Sequence, residues 1–151
     1  MRLAAHRGLP VYFLHLANQW VPLKSGRAFP RKGAPLDFVG VVAGIPVALE
    51  CKEVGSGSRF PLNTARLPEK EVEALRSFEN AGGKAFLVIA FWELHLIALV
   101  PFADVKKAWE DYKLKAGPAS IDCRMGRSIP EDHVMGIGEL IWRSLKDDQS
   151  I

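Results

Sequence analysis

The chain has 151 residues, 48% of them hydrophobic and 25% charged, with a formal net charge of +3 at pH 7. That length and apolar content suffice for one core without covalent staples, so a single domain over residues 1–151 is expected. No run approaches the ~20 apolar residues of a membrane span, and two cysteines far apart in sequence, Cys51 and Cys123, argue against a disulfide framework and for a reducing, cytoplasmic setting.

Arg2 and Arg7 precede the apolar stretch Leu9 to Ala17 in the manner of a signal peptide. The stretch is short, carries His15 and is followed by no small-x-small cleavage site. Pro10 at a first helical position makes a helix from about Pro10 to Trp20 the expected element. Next comes Val21 to Pro35, a basic arm with Lys24, Arg27, Arg31 and Lys32. With Arg2 and Arg7 these make six basic residues and no acid in the first 36. Such an arm neutralises phosphates and releases counterions, which gives sequence-independent affinity for nucleic acid. Its plain alternative is a solvated loop.

Leu36 to Val42 and Ile45 to Lys52 read as two β-strands joined at Ala43-Gly44. A turn centred on that pair sets Val42 against Ile45, Val41 against Pro46 and Asp37 against Glu50. Pro46 has no N–H for the ladder, so Val41:Pro46 should be a non-hydrogen-bonded pair, and alternation makes Asp37:Glu50 the same type, with Cα atoms roughly 4.5 Å apart. Like charges directly opposite destabilise a hairpin. The usual reason to keep them is a shared proton or a hard cation between the oxygens. Lys52 points to the Glu50 face, and an acid pair with an adjacent ammonium is the minimum equipment for metal-assisted phosphodiester hydrolysis. Solvated surface charge is the bland alternative, although Ala48, Val39 and Val41 on the acidic face are apolar. Val47, Leu49 and Cys51 form the other face, predicted to be buried.

Glu53 to Arg59 is a Gly/Ser loop expected to be mobile without nucleic acid. A helix follows from about Pro68 to Ala81, with Val72, Leu75 and Phe78 on one face and Gly82-Gly83 as its stop. Glu71 on that helix reads most simply as a surface acid. Lys84 to Phe91 and His95 to Val100 are predicted as a central strand and its neighbour, turned by Trp92-Glu93-Leu94. A helix near Ala103 to Lys113 leads to a connector at Gly117-Pro118. The final helix is expected to open at Ser128-Ile129-Pro130-Glu131, a capping-box pattern, and to carry the apolar stripe Met135, Ile137, Leu140, Ile141 and Leu145. His6, His15, His95 and His133 lack metal-ligand spacing, and no phosphate loop or nucleophile elbow occurs.

Four stretches in order, Asp37-Phe38-Val39-Gly40-Val41, Glu50-Cys51-Lys52, Arg59-Phe60-Pro61-Leu62 and Gly82 to Ile89, resemble the RecU-type Holliday junction resolvases of the PD-(D/E)XK nuclease superfamily. The resemblance covers roughly residues 34–100 and includes the family's short phage versions. It implies an α/β fold with a mixed central β-sheet flanked by helices, the restriction endonuclease-like arrangement. It matches Asp37 and Glu50 to the metal-binding acids and Lys52 to the catalytic lysine, and sets Glu71 where the family usually has a helix glutamine. The chain departs from the family in having Ala34-Pro35 before the first acid, where Ser or Thr is common, and in lacking an upstream helix glutamate. The implied metal is Mg²⁺, with Mn²⁺ able to substitute, held by Asp37, Glu50 and the Cys51 backbone carbonyl. Lys24, Arg27, Arg31, Lys32 and Arg59 are the expected DNA contacts, the first four on a protruding stalk. The implied partners are a four-way DNA junction and a second copy of the chain, since two symmetric cuts suit a two-fold dimer. Another endonuclease on the same fold, or a non-catalytic DNA-binding protein that kept the basic arm, are the rival readings.

Overall fold

Two residues with positive φ, Ala43 (47°) and Gly44 (84°), close the hairpin at the heart of the sheet. With both central residues left-handed the turn is of the type I′ class, whose twist matches that of the flanking strands, although Ala43 carries the ~1–2 kcal/mol strain of a Cβ in that region. The computed structural model describes residues 8–31 and 34–149. In it strands β4 (Phe38–Val42) and β5 (Ile45–Val54) pair in the predicted register, Val42 with Ile45 through Phe38 with Leu49. The ladder stops at Phe38. Asp37 lies just beyond it, with its N–H donating to the Leu49 carbonyl at 3.2 Å.

The expected helix over Pro10–Trp20 is instead strand β1 (Val11–His15), paired antiparallel with β4 from Val11:Val42 to His15:Phe38. Val11, Tyr12 and Phe13 are β-branched and aromatic, and their burial alternates with period two: Phe13 is fully buried while Tyr12 and Leu14 are about half exposed. Pro10 serves as an acceptor, its carbonyl taking the Ala43 N–H at 2.8 Å. Gly40 is what lets β1 lie so close. A Cβ there would stand 2.1 Å from the Tyr12 carbonyl oxygen and 2.6 Å from Phe13 Cδ1.

The basic segment is a hairpin of its own, β2 (Gln19–Pro22) against β3 (Ala28–Arg31), whose strands pair with each other and not with the main sheet. Lys24 and Arg27 are exposed at its tip, beside Gly26 at φ 80°. The Arg31 backbone ends β3, and Lys32 lies outside the described residues.

From β5 the chain passes through β6 (Arg59–Pro61) and helix α1 (Glu69–Asn80) to β7 (Lys84–Phe91), which pairs parallel with β5. Strand β8 (Leu96–Pro101) returns antiparallel after a tight turn with His95 at φ 53°, and helix α2 (Phe102–Lys113) follows. β9 (Ser120–Asp122) then joins β6 in a small separate sheet. Ser128 to Pro130, expected to open the last helix, belong to strand β10 (Arg127–Pro130) on the edge of β8. The open edge of β8 captures the segment, Ile129 packs against the core, and Pro130 falls at a strand end where a missing N–H is tolerated. Helix α3 (Ile137–Gln149) starts only after a 3₁₀ stretch over Glu131–Gly136.

The six-stranded sheet, in order β1-β4-β5-β7-β8-β10, is mixed and carries helices on both faces, the α/β arrangement expected. Ala48, Leu87, Ile89 and Val100 pack under α1 and α2 through Val72, Leu75, Val105 and Trp109. Val47, Leu49, Val88 and Leu99 pack under α3 through Ile137, Leu140, Ile141 and Leu145. Cys51, predicted to be buried on the α3 face, is exposed. The α3 layer does not reach that end of β5, and a cavity of about 420 Å³ opens there between Cys51, Leu49, Phe38, Val88 and Ile137. No helix among the described residues is long and apolar enough to cross a membrane.

Candidate active site

Alternation along β5 sends Glu50 and Lys52 to the α1 face, together with Ala48. Glu50 is only 1% exposed, in the middle of the sheet. Asp37 comes from the residue before β4, and its Oδ2 accepts the Cys51 N–H at 2.8 Å. This bond fixes the Asp37 carboxylate against the Glu50-Cys51-Lys52 backbone although the ladder itself ends one residue short. The two acids and the lysine are thus gathered at one end of the hairpin, as the register predicted.

Glu71 is not a surface acid. It lies in the first turn of α1, where packing of Val72 and Leu75 into the core turns it inward, and it is 4% exposed. Lys52 Nζ donates to Glu71 Oε2 at 2.6 Å and stands 3.1 Å from Glu50 Oε1. The ammonium therefore bridges a strand acid and a helix acid. Burying charges in this way is costly unless they are paired, and every buried side-chain nitrogen and oxygen among the described residues has a hydrogen-bond partner.

The donor set suits a hard divalent cation. Carboxylate oxygens from Asp37 and Glu50 lie beside the Cys51 peptide, and among the described residues no group of three or more His, Cys, Asp or Glu forms a softer or zinc-type centre.

Arg59, expected to touch DNA, is committed within the protein as well. Its guanidinium reaches Asp122 Oδ2 at 2.8 Å and Ser120 Oγ at 2.6 Å across the β6–β9 sheet. Asp122 also accepts from the Arg124 side chain and backbone, and these bonds, with the nearby Arg59 charge, hold its carboxyl at about 2, below the usual 3.8. The Gly/Ser loop after β5 is fastened rather than loose. Glu93 Oε2 accepts the Gly57 N–H at 2.6 Å, and this bond with one from Ser56 pulls the Glu93 carboxyl below its ordinary value of 4.5. Trp92 Nε1 donates to Glu53 at 2.9 Å, Cys123 N–H to the Ser58 carbonyl at 2.8 Å, and Arg66 to the Glu53 carbonyl. Asp122, Glu93 and Trp92 escaped the sequence reading. Arg59 and Asp122 are 63 positions apart, and no local pattern announces such a pairing.

Residues 9–125 match the family of recombination protein U. Among curated relatives, the chain is 30% identical over 101 residues to a Holliday junction resolvase RecU of Staphylococcus saprophyticus, covering 64% of this chain and 48% of that protein. To the Staphylococcus epidermidis protein of the same name it is 31% identical over 103 residues, covering 66% and 49%. The chain spans about half the length of the curated relatives it matches. A solved structure of Archaeoglobus fulgidus Hjc, a Holliday junction resolvase, aligns with a TM-score of 0.41 at 18% identity, over 62% of this chain and 64% of that one. With the family matched across most of its length, this chain belongs to the recombination protein U family.

Proposed function

We propose that the chain is a structure-specific endonuclease that resolves four-way DNA junctions by metal-dependent phosphodiester hydrolysis, working as a homodimer. The observation that carries this reading is the bridging Lys52, an ammonium placed between Glu50 and Glu71 at the strand end where Asp37 closes on the Cys51 backbone. Asp37, Glu50 and the Cys51 carbonyl would hold Mg²⁺, or Mn²⁺ in its place. Bound there, the ion supplies Lewis acidity and orients the hydrolytic water for in-line attack. Lys52 contributes a compact positive charge that balances the charge developing on the phosphate, while the 3′-oxygen departs. The sheet and α1 hold these groups in place, so little reorganisation accompanies reaction.

The β2–β3 hairpin extends the proposal to DNA. It projects Lys24 and Arg27 into solvent on a unit that pairs with no other strand, which is the form a stalk entering a junction requires. Arg31 and Lys32 continue the same basic segment, and Arg59 would add a contact from β6. A two-fold pair of chains supplies two symmetric cuts.

The test compares a synthetic four-way junction with linear duplex of the same arm sequences, in Mg²⁺, in Mn²⁺ and in chelator. Cutting of the junction alone, only with metal, is expected. Equal cutting of the duplex would favour another endonuclease on this fold, and metal-independent binding without cutting would favour a DNA-binding protein.

A further inference from the structure

We propose that Glu71 is a positioning residue that keeps Lys52 from closing on Glu50, and so keeps Glu50 available to a divalent cation. The inference rests on the metal site proposed above and adds a function for the helix acid. Lys52 Nζ is closer to Glu71 Oε2, at 2.6 Å, than to Glu50 Oε1, at 3.1 Å. Both carboxylates are almost wholly buried, and the Lys52 side chain is 15% exposed. In such surroundings an ammonium with one acidic neighbour settles on it, because solvent does little to weaken the attraction.

An ammonium seated on Glu50 would occupy the oxygens that a divalent cation needs. Glu71 opposes this from the other side. It is anchored in the first turn of α1, its N–H bonded to the Pro68 carbonyl at 2.9 Å, while the next residue, Val72, is locked in the core. Its carboxylate therefore cannot follow the lysine. Lys52 is held between two fixed acids and biased toward the one that is not placed beside Asp37. Release of the ammonium toward a phosphate then breaks one interaction on each side rather than a single tight pair.

The experiment measures Mn²⁺ binding by electron paramagnetic resonance of the free ion, without DNA, on folded protein checked by thermal melting. Wild type should bind Mn²⁺ in a manner abolished by Asp37→Asn. Glu71→Gln preserves side-chain shape but removes the competing charge, and it should weaken Mn²⁺ binding by roughly ten- to a hundredfold, the usual effect of losing a partner of a metal ligand. The decisive step repeats Glu71→Gln in a Lys52→Met background. With no ammonium to restrain, the substitution should change Mn²⁺ binding less than about twofold, within the error expected of uncoupled sites.

An equal loss in both backgrounds would make Glu71 a ligand in its own right and overturn the inference. Unchanged Mn²⁺ binding in Glu71→Gln with an otherwise intact Asp37-dependent site would leave Glu71 a structural partner only, and would overturn it as well. Wild-type binding insensitive to Asp37→Asn would remove the metal site itself, and the inference with it.

Discussion

Two clusters of acids and cations lie on the chain near the end of β5, and they differ in nearly everything but composition. Lys52 with Glu50 and Glu71 is buried between sheet and helix. Asp122 with Arg59 and Arg124 lies on the small β6–β9 sheet with its cations in solvent, Arg124 being 87% exposed. Exposed ion pairs are worth ~0–1 kcal/mol and are easily gained or lost. A buried one must overcome the desolvation of each charge, and a well-packed apolar substitute is often at least as stable. The Asp122 cluster needs no explanation beyond joining two short strands. The Lys52 cluster does need one, and proximity to Asp37 supplies it. Position in the fold, more than the presence of charge, separates a candidate catalytic group from a surface tie.

The sharpest way to break this comparison is to remove the acids. Asp37→Asn and Glu50→Gln should each reduce junction cleavage by about a thousandfold or more, the scale of losing several kcal/mol of transition-state stabilisation. Junction binding, measured by gel shift in chelator, should stay near wild type, since the residues expected to hold the phosphates lie elsewhere. Full activity in either variant would return these residues to the structural class.

Lys52 is next in size. Lys52→Ala should slow single-turnover cleavage by about a hundredfold or more without a comparable drop in DNA affinity. Lys52→Arg should fail too, because a planar guanidinium is bulkier and cannot fit the compact position between Glu50 and Glu71. An arginine variant with full rate and normal melting would make the cluster a plain ion pair.

A smaller effect is expected from the hairpin. Replacing Arg27, Arg31 and Lys32 by Ala should weaken junction binding and flatten the plot of log affinity against log salt by about 0.9 for each phosphate no longer neutralised. A titration series at several salt concentrations reads this directly, and an unchanged slope would remove the arm from the DNA interface.

The smallest effect belongs to the exposed cluster. Asp122 has its folded-state carboxyl lowered to about 2 from 3.8, first by the Arg124 side-chain hydrogen bond. Its stabilisation is therefore present above the unfolded value of 3.8 and disappears as pH falls toward about 2. Asp122→Asn should melt slightly earlier than wild type near neutral pH, by an amount that closes between these two values. Cleavage should be little affected. A large activity loss at constant stability would mean that Arg59 and its partners belong to the site.

The sequence made some of this legible and hid the rest for physical reasons. The β4–β5 register followed from one turn, because antiparallel pairing propagates from its centre, and it brought Asp37 to Glu50 and Lys52. The strand at 84–91 and helix α1 were equally plain from their apolar spacing. The first helix was misread because Pro10 suits a helix start, while the β-branched and aromatic run after it finds a partner only in β4, more than twenty residues downstream. Ser128 to Pro130 fail in the same way, a local capping pattern overridden by an open strand edge. Burial of Glu71 depends on how α1 rolls against β5, and exposure of Cys51 on where α3 ends. Both are tertiary facts without a local signature.

Central to the account is that the Asp37, Glu50 and Lys52 cluster cuts four-way DNA. The most direct measurement uses a supercoiled plasmid that extrudes a cruciform, incubated in Mg²⁺ with the wild-type chain and with Asp37→Asn. The account predicts linear product from paired nicks across the cruciform base with the wild type and intact plasmid with the variant. Intact plasmid with both, or nicks unrelated to the cruciform that persist in Asp37→Asn, would contradict it.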